Sequence, residues 1–195
     1  GNTMNKPKLQ TVYHETVLPE LMKEKGLKNA LEAPRLEKVV LNTGLAATVD
    51  RATLDETAKD LGLIAGQKAV VTRAKKSISN FKLRQGMPIG AKVTLRGARM
   101  WDFVYRCLNI ALPNIRDFRG VPSKLDGSGN YTLGIEDHSI FPEISTDGNR
   151  RQMGLDVTFV TTAKNDADGA DLLRRLGMPF RKQPSAEGAD SQAAA

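Results

Sequence analysis

The sequence predicts an α+β fold with a mostly antiparallel sheet, on three observations. Apolar residues make up 40% of the 195 residues, enough for a sizeable core. Four segments space their apolar residues at helical period, and others alternate with period two. The alternating segments cluster along the chain and do not interleave strictly with the helical ones, which disfavours a doubly wound parallel sheet. The length fits one domain, read here as residues 5–182, and the small polar tail 183–195 is expected to be disordered.

Residues 8–25 set Leu9, Val12, Tyr13, Val17, Leu21 and Met22 at helical spacing before Gly26, which predicts an amphipathic helix weakened by Pro19. Arg35 to Leu41 alternates and is rich in Val and Leu, a strand expected to end in the turn-prone Asn42-Thr43-Gly44. Asp50 is a fitting N-cap for a helix over 51–65, with Leu54, Ala58, Leu61 and Ala65 on one face and Gly66 as its stop. A short strand, Ala69 to Thr72, leads into Arg73 to Gly86, a stretch without clean periodicity that reads as a long, exposed, flexible basic loop. Ile89 to Leu95 is a strand, and Gly97 opens a helix to Leu112 with Met100, Trp101, Val104, Leu108 and Ala111 as its stripe and Pro113 as its end. Residues 117–130 are turn-rich. Tyr131 to Ile135 and Leu155 to Thr162 read as strands, Ser139 to Ile144 as an extended piece broken by Pro142, and Asp166 to Leu176 as a helix stopped by Gly177.

The 29 Lys and Arg outnumber the 22 Asp and Glu, for a net charge of +7. The excess is concentrated. Residues 68–120 carry twelve Lys and Arg against only Asp102 and Asp117, a local +10, and the rest of the chain carries −3. Crowding like charge into one block costs self-repulsion that a polyanionic partner offsets.

Other classes find little support. No apolar run approaches the ~18 residues that span a bilayer, and residues 1–10 lack the apolar stretch of a signal peptide, so neither membrane insertion nor secretion is expected. Cys107 is the single cysteine, on a helix beside the apolar stripe, and reads as an inert packed thiol. His14 and His138 stand in unrelated contexts without ligand spacing, so no metal or other cofactor is expected. Gly127-Ser128-Gly129 lacks the third glycine and following helix of a dinucleotide fingerprint, and no Gly-Lys-Ser/Thr loop is present to cradle a nucleotide. No catalytic constellation emerges.

Phosphate is recognised by Lys and Arg, by hydroxyl and amide side chains, and by backbone N–H groups. The loop offers Arg73, Lys75, Lys76, Lys82 and Arg84 with Ser77, Ser79, Asn80 and Gln85. Such a loop suits an irregular, structured RNA better than duplex DNA, whose readers present a basic helix to the major groove. Phe81 has two readings of equal standing: stacking on a base, or pinning the loop to the core.

The runs GQKAVVTRAKKSISNFKLRQGMPIGAKVTLRGARMWDF (66–103), NIRDFRGV (114–121), GNYTLGI (129–135), IFPEI (140–144) and GLDVTFVTTAK (154–164) closely resemble the bacterial large-subunit ribosomal protein five family, over roughly residues 8–182. The resemblance implies a curved antiparallel sheet with helices packed on one face. It implies a non-enzymatic, cytoplasmic component of the large ribosomal subunit that binds 5S rRNA at the central protuberance, beside large-subunit rRNA and neighbouring ribosomal proteins. Carried over by motif, the implied 5S rRNA contacts are Asn42, Gln67, Thr94, Arg96 and Asp156, with Asp156 expected to orient Arg96 or to accept from a ribose hydroxyl or base amine. The basic loop is implied to reach the elbow of peptidyl-site tRNA through Arg73, Lys75, Lys76, Ser77, Lys82 and Arg84. A further exposed part is implied to meet a protein of the small-subunit head.

Overall fold

The computed structural model describes residues 6–46, 49–144 and 152–181; the expected tail, 183–195, lies outside the described residues. Five strands, β1 (Leu36–Gly44), β2 (Val70–Arg73), β3 (Pro88–Leu95), β4 (Tyr131–Ile135) and β5 (Leu155–Thr161), form one sheet in the order β2-β3-β1-β5-β4. Every neighbouring pair is antiparallel. The α+β expectation therefore holds.

Alternation along the strands sorts the two faces. Leu36, Val39 and Leu41 of β1, Ala91, Val93 and Leu95 of β3, Val157 and Phe159 of β5, and Tyr131, Leu133 and Ile135 of β4 all enter one apolar cluster. The helices close over that face: α1 (Lys8–Val12), α2 (Leu18–Lys25), α3 (Arg51–Ala65), α4 (Gly97–Arg106) and α5 (Asp166–Leu176) supply Leu9, Leu21, Leu61, Ile64, Trp101, Phe103, Leu172 and Leu173 to the same cluster. Each fully buried Leu, Ile or Phe among them contributes about 1.5–3 kcal/mol. The other face keeps Asn42, Lys92, Thr132 and Asp156 exposed, with Lys38, Val40, Thr94, Thr158 and Val160 half-buried.

The N-terminal helix is one rod in three parts, because a π-turn (Tyr13–Val17) joins α1 to α2. The Leu18 N–H reaches back to the Tyr13 carbonyl, and Pro19, which has no N–H to give, follows at once. The widened turn accommodates the proline and keeps Leu9, Tyr13, Val17 and Leu21 buried. A second π-turn (Cys107–Ala111) continues α4, and a 3₁₀ turn (Leu112–Asn114) holding Pro113 ends it. The Asp50 carboxylate accepts from the Thr53 N–H, and Gly66 closes α3 in the left-handed region at φ 72°.

Three local expectations need correction. Asn42-Thr43-Gly44 is not a turn: β1 runs through it, pairing Asn42 with Lys92 and Asp156, because two flanking strands satisfy the backbone that an isolated tripeptide would fold on itself. Ser139 to Ile144 is not extended; a 3₁₀ turn (His138–Ile140) starts it, and Phe141 and Ile144 are buried. The buried His138 imidazole accepts the Met153 N–H at Nδ1 (3.3 Å) and lies 3.3 Å from the Asp60 carboxylate through Nε2, fixing this segment to α3.

The third correction concerns only the internal structure of the basic loop, which is exposed as expected but is a hydrogen-bonded excursion of the β2–β3 hairpin. Ala74 and Gly86–Met87 exchange backbone bonds at its base, Ile78 and Leu83 exchange a reciprocal pair (2.9 and 3.0 Å) further out, and the Gln85 N–H donates to Ser77 Oγ (2.9 Å). Weak periodicity hid it, since two short rungs are too few for an alternating pattern.

Candidate nucleic-acid interface

Antiparallel register sets three of the sequence-predicted polar residues, Asn42, Thr94 and Asp156, on the sheet face turned away from the described helices. Asn42 in the central strand is opposite Lys92 on one side and Asp156 on the other, and Asp156 is in turn opposite Gly134. Side chains of one lateral row are about 5 Å from their neighbours, so Lys92, Asn42 and Asp156 form a continuous polar row over three strands. Gly134 keeps the β4 end of the row low, as a Cβ there would come within 3.6 Å of Asp156 Oδ1. Asn42, Gly134, Glu136 and Asp156 line a shallow depression of ≈ 360 Å³.

A second row lies beside the first. Thr94 is opposite Val40, which is opposite Thr158, which is opposite Thr132, and the two threonine hydroxyls are 3.1 Å apart. Gln67 belongs to the edge of this row: its Nε2 donates to the Thr94 carbonyl (3.2 Å), and its Oε1 accepts from Arg99 Nη1 (3.3 Å). The Gln67 amide is thus engaged within the protein and aims Arg99.

Arg96 is exposed at the N-cap of α4, where its side chain makes no hydrogen bond or ion pair among the described residues. It is four residues beyond Lys92, about 13 Å along the strand at ~3.3 Å per residue. Asp156 therefore does not orient Arg96. Its near neighbours across the sheet are Asn42 and Gly134, which leaves it as an acceptor for a hydroxyl or amine donor.

Four of the five residues thus share one surface, with Arg96 at its rim. Residues that sequence reading passed over complete it: Lys38, Lys92, Thr132 and Thr158 share the face, and Arg99 flanks it. Lys38, Lys92 and Thr158 lie four, two and two residues from Asn42, Thr94 and Asp156, so period-two counting from the named sites finds them, whereas Thr132, on a strand with no named site, follows only from its pairing with Thr158.

The basic excursion leaves the sheet at the opposite end of β3 from Arg96. Arg73 Nη1 donates to the Gly86 carbonyl (3.1 Å), clamping the base of the excursion, and Ser77 is engaged with Gln85. The side chains of Lys75, Lys76, Lys82 and Arg84 are exposed and make no hydrogen bond or ion pair among the described residues. Phe81, 71% exposed, does not pin the excursion to the core.

Within α4 the arginines are each held by a neighbour. Arg106 pairs with Glu143 (2.5 Å) and Arg99 with Gln67, so α4 does not present a free basic face of the kind that enters a major groove. Among the described residues no helix is long and apolar enough to cross a membrane, and no cluster of three His, Cys, Asp or Glu is gathered as metal ligands.

Comparison with known proteins identifies the family. Residues 29–84 match the family model described as Ribosomal protein L5, and residues 88–180 match the model of the same family's C-terminus. Large ribosomal subunit protein uL5 of Alkaliphilus oremlandii is 54% identical over 177 residues, covering 90% of this chain and 99% of that protein. The uL5 protein of Kosmotoga olearia is 55% identical over 176 residues (89% and 96%), and that of Protochlamydia amoebophila 52% over 178 residues (91% and 96%). With two family models covering most of the chain and relatives above half identity along nine tenths of it, the chain belongs to the ribosomal protein L5 family, a structural and non-enzymatic constituent of the large ribosomal subunit.

Proposed function

We propose that the helix-free sheet face is the 5S rRNA-binding surface, through Asn42, Gln67, Thr94, Arg96 and Asp156, and that it helps attach 5S rRNA at the central protuberance. The observation that carries this reading is the row Lys92–Asn42–Asp156 beside Thr94, on a face that no helix among the described residues covers. The row offers an ammonium, an amide, a carboxylate and a hydroxyl on rigid strands, a donor and acceptor set suited to phosphate, ribose 2′-OH and base edges together. Gln67 acts by aiming Arg99, whose guanidinium can grip phosphate.

The β2–β3 excursion, with Arg73 and Ser77 holding its shape and Lys75, Lys76, Lys82 and Arg84 exposed, is the contact to the elbow of peptidyl-site tRNA. It leaves β3 at the end opposite Arg96 and projects beyond the sheet face, so that one protein can hold two RNAs at once. Large-subunit rRNA and neighbouring ribosomal proteins surround it, and a further exposed part meets a protein of the small-subunit head.

A salt-series binding assay with 5S rRNA, an unrelated structured RNA and duplex DNA tests the reading. The preference for 5S rRNA persists as salt rises; parallel loss of all three ligands would show merely basic binding and overturn it.

A further inference from the structure

We propose that Phe81 is a stacking residue, seating its ring on an exposed nucleobase face of the structured RNA that the β2–β3 excursion meets; this rests on reading the excursion as the tRNA contact. A single exposed apolar side chain is ordinary on a protein surface, so exposure alone carries nothing. Two further observations give it weight.

The first is that the tip is built. Ile78 and Leu83 exchange reciprocal backbone bonds, the Phe81 N–H donates to the Ile78 carbonyl (3.3 Å), and the Lys82 N–H donates to the Ser79 carbonyl (3.1 Å). Lys82 closes this 3₁₀ turn (Ser79–Phe81) in the left-handed region at φ 50°, a conformation that costs energy for any residue with a Cβ. A strained, hydrogen-bonded turn thus holds a phenyl ring at the apex with 71% of its surface in solvent, and Ile78 beside it is 43% exposed. Presenting the ring already ordered lowers the entropy cost of binding.

The second is the chemistry around the ring. From Leu61 to Trp101 the sequence contains no Asp or Glu, and Lys75, Lys76, Lys82 and Arg84 are exposed near the tip. An apolar pocket on a protein would accept Phe81 but has no use for uncompensated cations. A polynucleotide uses both, because phosphates neutralise the cations while a base offers a π-face to the ring.

Large subunits assembled with full-length variant protein, probed with full-length deacylated tRNA, test this. Phe81→Leu and Phe81→Ala lower tRNA affinity about tenfold, Phe81→Trp keeps it, and 5S rRNA incorporation stays normal in all three. Leu separates stacking from simple apolar bulk: wild-type affinity in Phe81→Leu, or loss in Phe81→Trp equal to that in Phe81→Ala, overturns the stacking role. A companion variant, Lys75→Gln/Lys76→Gln/Lys82→Gln, separates this from the parent reading. Loss of tRNA affinity there with no effect of the Phe81 variants sinks stacking alone, whereas no effect of either set sinks the tRNA contact and the stacking with it.

Discussion

Arg96 projects from the N-cap of α4 into solvent, at the rim of a polar face whose other members are rigid in strands. Its replacement therefore removes a cation without disturbing a buried partner. Arg96→Ala is expected to weaken 5S rRNA binding by ~1–3 kcal/mol, the worth of a good charged contact, with unchanged thermal unfolding. A titration showing wild-type affinity in the folded variant would remove Arg96 from the interface. Gln67 illustrates the limit of reading residues singly. Its motif marked it in the sequence, but its amide is bonded to the Thr94 carbonyl and to Arg99, so its part is to position another side chain. Arg99 carried no mark of its own, because a helical arginine usually faces water, and only its hydrogen bond to the Gln67 amide ties it to the sheet edge.

Strand β3 sets the scale of the proposed RNA-binding surface, with the excursion at one end, Lys92 and Thr94 in the middle and Arg96 just past the other. Its pairing with β1 depends on Gly90. A Cβ there would lie 2.2 Å from the Thr43 carbonyl oxygen and 3.1 Å from Thr72 Oγ1, in the ladder that also sets Asn42 opposite Lys92. Gly90→Ala is expected to destabilise the fold by about 1–3 kcal/mol or more, read as a lower urea midpoint, and to weaken 5S rRNA binding through the shifted register. Native stability in that variant would show that the ladder yields there without cost. At this scale the helices were the most legible: Asp50 and Gly66 bracket α3, and Asp166 to Leu176 is helical from end to end. Elements whose shape depends on distant partners were not. Asn42-Thr43-Gly44 has turn chemistry, but β3 and β5 enforce extension. The segment after His138 owes its form to Asp60, seventy-eight residues earlier.

Over the whole molecule the apolar cluster sets stability, and two ionisable groups inside it predict its pH dependence. Burial pushes the Cys107 thiol from an ordinary value near 9 up to about 12. Burial likewise raises the Tyr131 hydroxyl, which donates to the Pro122 carbonyl, from 10 to about 12. Each is an acid that the folded state keeps protonated longer than the unfolded chain does. The unfolded state therefore releases its protons first, and stability falls as pH rises above ~9 for Cys107 and ~10 for Tyr131, by roughly 1.4 kcal/mol per pH unit per group. Cys107→Ala is expected to flatten that loss between pH 9 and 10 in denaturant titrations; an unchanged slope would show that the thiol does not contribute. The charge block also changes meaning at this scale. As a stretch of sequence it was one +10 segment, but the fold distributes it between a structured excursion, an open sheet face and a helix whose Arg106 is paired with Glu143.

The sequence by itself determined the α+β class, the helices with their caps, the concentration of positive charge and, through its motifs, the family. These are local or additive properties: periodicity, capping chemistry and composition act within a few residues of chain or simply sum. Tertiary structure decided which polar residues share a surface, that Gln67 serves Arg99, that Asp156 faces Asn42 and not Arg96, and that Phe81 stands in solvent. Those relations join residues tens of positions apart, and they follow from strand register and packing, which place side chains by contacts that no local stretch of sequence contains.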